Sequence, residues 1–241
     1  MTKGSTRPPR AARHADIKRA AIEEFARHGF QGASTQAIAA RAGLSKPQLN
    51  YYIDGKEDLY REVLLDTMNA WGGLFEFDEA QRGPHAVLSD YIRRKLDFSF
   101  DNPLATKIFT GEMLAGAPVY MAYMPVFRRR TAAAATIMRQ WMAQGLMRRS
   151  DPLQVLMNIW AITQSYADHE VQVRYFMRRK TLGALDRRRI VAHVTRFVLT
   201  GLGVRPAPGR SAGSAPAPTP ARRAPPQRAS APVVRRRPRK E

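Results

Sequence analysis

Residues 34–56, STQAIAARAGLSKPQLNYYIDGK, constrain this chain more than any other stretch. The spacing predicts two short helices joined by a tight turn. Thr35, Ile38, Ala39 and Ala42 recur at helical intervals. Gly43 then supplies the left-handed backbone that ends a first helix. Ser45 is placed to cap a second helix, and Gln48 three residues on completes a Ser-x-x-Gln capping box. Pro47 falls in that helix's first turn, where a missing N–H is tolerated. Leu49 and Ile53 face inward with Ile38 and Ala42, which leaves Lys46, Pro47, Gln48, Asn50 and Tyr51 pointing outward. A short helix with this surface suits a DNA major groove. A helical hairpin buried in a larger bundle is the plainer alternative.

The flanking sequence reads as helix throughout. Residues 14–29 carry an apolar stripe of Ile17, Ala20, Ala21, Phe25 and Ala26, closed by Gly29. A helix from Lys56 should run to about Phe77, followed by a loop over 78–83. A helix over 84–100 offers Leu88, Tyr91, Ile92, Leu96 and Phe98 for burial. Asn102-Pro103 starts a short helix, Pro118 and Pro125 bracket an irregular stretch, and a long helix reaches about Gln144. Asp151-Pro152-Leu153-Gln154 is a strong start signal for a helix expected to reach about Tyr175. The last helix covers roughly 184–202, with Ile190, Val194, Phe197 and Val198 at helical spacing. Strand signals are lacking, so the expected class is all-α. It divides into a basic disordered arm (1–13), a helix-turn-helix domain (14–58), a helical effector-binding and dimerisation domain (59–204) and a disordered basic tail (205–241).

Charge narrows the partner. The net charge is +20, pointing to a polyanion, with an acidic membrane surface as the rival. Residues 1–13 carry +4 and residues 205–241 carry +9, so more than half of the excess sits in arms too poor in apolar residues to fold alone. The arginine clusters at 128–130 and 187–189 read as solvated helix faces. Cysteine is absent, which excludes disulfides and thiolate chemistry. His14, His28, His85, His169 and His193 are scattered without metal-ligand spacing, so neither an enzyme nor a bound metal or cofactor is expected. No signal-peptide core or membrane-spanning run is visible. The expectation is a soluble cytoplasmic, nucleoid-associated protein with no membrane partner.

The stretch GASTQAIAARAGLSKPQLNYYIDGKEDLY resembles the helix-turn-helix of the TetR family of transcriptional regulators. YIRRKLDFS, EMLAGAP and IWAITQSYAD are similar to the effector domain of that family's pyrimidine-utilisation branch, which responds to uracil and thymine. The resemblance implies a homodimer, paired through its last two helices as a four-helix bundle, that binds a palindromic operator on double-stranded DNA. A small molecule, uracil or thymine, would then release it. A ligand-independent architectural DNA-binding protein also fits the charge and the two basic arms.

By the resemblance, Gln36, Lys46, Pro47 and Gln48 occupy base-contacting positions. The chemistry agrees in part: Lys donates to guanine O6/N7, and Gln bonds adenine bidentately. Thr35, Tyr51, Tyr52 and Lys56 are candidates for phosphate contacts, with core packing the alternative for Tyr51 and Tyr52. Trp160 and Gln164 are i,i+4 and share a helix face that Asp168 continues. A flat pyrimidine needs an aromatic wall and an edge that both donates and accepts, which Trp and Gln supply. Trp71 closes the other side, and the resemblance adds Lys95, Glu112 and Tyr166.

Overall fold

The computed structural model describes residues 9–73 and 83–206. Among these the chain is helical, with no strand. Ten α-helices follow in order: α1 Arg10–Gly32, α2 Thr35–Arg41, α3 Lys46–Asn50, α4 Lys56–Gly73, α5 Gly83–Asp101, α6 Pro103–Leu114, α7 Met124–Ala143, α8 Pro152–Asp168, α9 Glu170–Phe176 and α10 Ala184–Gly201. A 3₁₀ turn, Tyr120–Tyr123, leads into α7. The expected extension of α4 to Phe77, the loop at 78–82 and the tail from 207 on lie outside the described residues.

Two apolar clusters organise these helices. The first joins the α1 stripe to Ile38 and Ala39 of α2, Leu49 of α3, and Leu59, Val63, Leu64 and Met68 of α4. Ile17, Ala21, Ile38, Ala39, Leu49 and Leu64 are fully buried. Ile108 of α6 completes this cluster, so the head is seated directly on α6. The second cluster packs Leu88, Tyr91, Ile92 and Leu96 of α5 against Leu156 and Ile159 of α8 and Ile190, Val194 and Val198 of α10. At about 25 cal/mol per Å² of apolar surface, each fully buried leucine or isoleucine stabilises by roughly 1.5–3 kcal/mol.

The structure departs from the sequence reading in four places. Arg10 to Arg13 are helical, where a disordered arm is expected; residues 1–8 lie outside the described residues. Pro9 sits at the N-cap, where its fixed φ and missing N–H suit a helix start. The helix from Asp151 stops at Asp168, and His169, with φ −109 and ψ 29, separates it from α9. The Asp168 carboxylate there is drawn to Thr110 of α6 (2.9 Å) and Gln164 (3.0 Å), a tertiary tie that local sequence does not announce. Phe197 is 64% exposed and Phe98 half-buried, so neither joins the core as the spacing suggested. Arg187 is no solvated face residue either. It donates to Asp101 (2.8 Å) and to the Phe100 carbonyl (3.3 Å), tying α10 to α5.

Candidate functional site

The reading head is built by its caps. Ser34 accepts the Ala37 N–H (3.0 Å) at the start of α2. Gly43 adopts φ +69, which turns the chain out of α2. At α3 the capping box is complete: Ser45 Oγ accepts the Gln48 N–H (3.4 Å), and Gln48 Oε1 accepts the Ser45 N–H (2.9 Å). With Leu49 fully buried, Lys46, Pro47, Gln48, Asn50 and Tyr51 face outward. Gln36 is also exposed, and Thr35 is half-buried at the first turn of α2.

Gln48, Lys56 and Tyr52 each support the head through contacts of their own. The Gln48 carbonyl is held by the cap, so its amide presents the NH₂ group rather than a free donor–acceptor pair. Lys56 Nζ donates to the Ala33 carbonyl (3.2 Å) and lies 4.6 Å from the Phe30 ring centroid, which fixes the loop ahead of α2. Tyr52 packs against the head's core and meets Tyr51 edge-on at 5.2 Å. Tyr51 itself is 68% exposed and carries the Arg10 guanidinium over its ring.

Behind the head, α4, α5, α6, α7 and α8 enclose a cavity of about 390 Å³. Trp71, Lys95, Trp160 and Gln164 all line it. Trp71 meets Phe109 at 4.4 Å and Phe98 at 5.7 Å, both edge-on, while its buried indole N–H has no acceptor among the described residues. Trp160 Nε1 donates to the Tyr91 hydroxyl (2.7 Å), which fixes the indole plane against α5. Gln164 Nε2 donates to Thr110 Oγ1 (3.2 Å) and to Asp168 (3.0 Å). Lys95 is 6% exposed, with its ammonium 4.3 Å from the Trp71 ring centroid. Burial lowers its pKa to about 8 against the opposing pull of Asp168, whose charge favours the protonated form.

Glu112 and Tyr166 are not on the cavity wall. Glu112 is buried and fully engaged. One oxygen accepts the Val119 (2.6 Å) and Tyr120 (3.0 Å) N–H groups, and the other accepts the Tyr60 hydroxyl (3.1 Å). It therefore ties α4 of the head to the 3₁₀ turn that carries the wall residue Tyr120. Tyr166 packs into the second apolar cluster. The wall residues that sequence reasoning missed include Tyr120, Phe127, Arg128 and Arg130. A signal for the arginines was present: no acid stands three or four residues from any of Arg128, Arg129 and Arg130. A solvated helix face commonly carries such partners.

Comparison with known proteins agrees with this architecture. Residues 17–63 match the bacterial regulatory proteins of the tetR family, and residues 64–205 match the C-terminal region of YcdC-like proteins. The chain belongs to the TetR family of transcriptional regulators. It is 32% identical to the HTH-type transcriptional regulator RutR of Escherichia coli K12, over 81% of this chain and 92% of that protein. A solved transcriptional regulator from Streptomyces coelicolor, SCO4942, is 26% identical, with a TM-score of 0.58 over 78% of this chain and 97% of its own. The ketosteroid transcriptional regulator KstR2 of Mycobacterium tuberculosis shares the fold at 17% identity, with a TM-score of 0.62 over 79% of this chain and 94% of that one. These relatives are regulators, not enzymes. Among the described residues no helix is long and apolar enough to cross a membrane.

Proposed function

We propose that this TetR-family regulator is a ligand-released repressor acting on double-stranded DNA in the cytoplasm, with a pyrimidine such as uracil or thymine as effector. One observation carries the reading: α4 is shared between the two sites. Its first turns, through Leu59, Val63 and Leu64, form the floor of the head, and its last turn places Trp71 in the cavity. A ligand between Trp71 and Trp160 therefore acts on the helix that holds α2 and α3. It shifts operator affinity only insofar as it prefers one tilt of α4 over another. The Tyr60–Glu112 bond makes a second tie between the head and the cavity wall.

Lys46, Pro47, Gln48 and Gln36 read bases in this proposal, and Thr35 and Tyr51 contact phosphate. Lys56 and Tyr52 support the head from beneath. The outer face of α10 leaves Phe197 and Leu185 exposed. A second copy covers them as a four-helix bundle and presents two heads to half-sites one DNA turn, or a multiple of it, apart.

The test is fluorescence anisotropy of the full chain on DNA from its own upstream region, with and without uracil or thymine. Release by either pyrimidine, from a site footprinted as a discrete palindrome, supports the proposal. Operator binding unchanged at millimolar uracil and thymine removes the pyrimidine effector. Continuous footprint coverage favours the architectural alternative, which has no use for the cavity.

A further inference from the structure

Among the described residues, the charge on the cavity's wall is all of one sign. Its charged members among them are Lys95, Arg128 and Arg130, all cations. Among the described residues no carboxylate lies within ion-pair distance of the Lys95 ammonium, and Asp168 is engaged by Thr110 and Gln164. Arg128 and Arg130 likewise have no carboxylate partner among the described residues, and Arg130 leans on the Phe127 ring at 6.0 Å. The Trp71 indole N–H adds a buried donor without an acceptor among the described residues. A buried ammonium and a buried N–H left in this state each cost free energy that a bound acceptor recovers.

Size points the same way. Sites of about 300–1,000 Å³ bury drug-sized ligands. A bare pyrimidine base, held between Trp71 and Trp160, leaves most of the 390 Å³ empty. Phe127, Arg128, Arg130 and Thr131 of α7 also line the cavity.

From these observations we infer that the effector is a planar ring bearing an anionic group, with the ring between the tryptophans and the anion held by the cationic wall of Lys95, Arg128 and Arg130. The inference deepens the pyrimidine reading by naming the ligand's charge, and it can stand or fall separately. Lys95 and the Trp71 N–H supply donors to the ring's carbonyls or to the acid, and the arginines at the rim supply bidentate donors to a carboxylate or phosphate.

The experiment is calorimetric titration of the full chain at pH 7 with four probes: uracil, orotate (uracil bearing a carboxylate), uridine monophosphate and benzoate. Each is run at 50 and 500 mM salt. At least one anionic pyrimidine should bind ten-fold or more tighter than uracil and weaken with salt. Arg128→Gln/Arg130→Gln, on exposed residues whose loss leaves the core intact, should close that gap while changing uracil affinity less than two-fold. Circular dichroism confirms the fold of the variant. Orotate against uridine monophosphate distinguishes a carboxylate from a phosphate.

Uracil binding as tightly as either anionic pyrimidine overturns the inference and leaves the pyrimidine reading standing. Benzoate binding while all three pyrimidines fail does the reverse. Failure of all three anions to bind overturns the inference, as does an arginine variant that weakens uracil and the acids alike.

Discussion

The head and the cavity treat polar groups in opposite ways. In the head, the Ser34 cap and the reciprocal Ser45–Gln48 box satisfy the helix N-termini, and even the buried Glu24 has Arg41 at 3.5 Å. In the cavity, among the described residues, an indole N–H goes without an acceptor and an ammonium without a carboxylate. The contrast teaches where each region's energy lies. The head is complete without a partner and meets DNA as a preformed surface. In the function proposed above, the cavity is completed by what binds in it, so its stability and its function are linked.

Four measurements test this contrast. The largest effect is expected from Leu49→Ala. Leu49 is fully buried beneath the reading helix, and its truncation should cost about 2–5 kcal/mol in urea unfolding. DNA affinity should fall with it while the cavity's ligand affinity is spared. Equal loss at both sites would mean that the head is not a separate unit of stability.

Next is Lys95→Met, which should stabilise the protein at pH 7 by about 1–3 kcal/mol while abolishing effector response. The sign follows from the lowered pKa. Between about 8 and the ordinary value of 10.5, the unfolded chain binds the proton that the folded chain has released. This group's contribution therefore makes stability rise with pH across that window. The difference between wild type and variant should shrink as pH rises from 7 to 10. A constant difference would show that Lys95 is not the titrating group.

Gln48→Ala should then cost about 1–3 kcal/mol at one operator base. Because the Gln48 carbonyl also serves the cap, Gln48→Glu separates the roles. Its carboxylate can still accept the Ser45 N–H, but it has no NH₂ to offer a base. Base-substituted operators read by anisotropy should show the same lost preference in both variants, with helix stability lost only in the alanine one. The smallest effect is Ser45→Ala, about 1 kcal/mol by thermal melting, confined to the head.

How much of this was legible beforehand follows from the range of the forces involved. Caps, turns and amphipathic stripes are local, and the Ser45–Gln48 box and the left-handed Gly43 could be read from a few letters. Trp160 and Gln164 share a face through helical spacing alone. Glu112 could not be placed that way, because its partners Tyr60 and Tyr120 come from two other elements. The break at His169 was equally hidden, since the pull on Asp168 comes from Thr110, 58 residues away. Lys56 looked like a free cation until the Ala33 carbonyl was seen beneath it.

The double engagement of Glu112 has a consequence for how a signal crosses the molecule. A single side chain clasps the hydroxyl of a head helix with one oxygen and two amides of the cavity rim with the other. Any shift of Tyr120 that makes room for an occupant must either drag Tyr60 along or give up a buried bond. Glutamine at position 112 would keep the shape of this clasp but exchange one acceptor for a donor. Such a protein should hold its DNA and still take up its effector, yet answer the second with less change in the first.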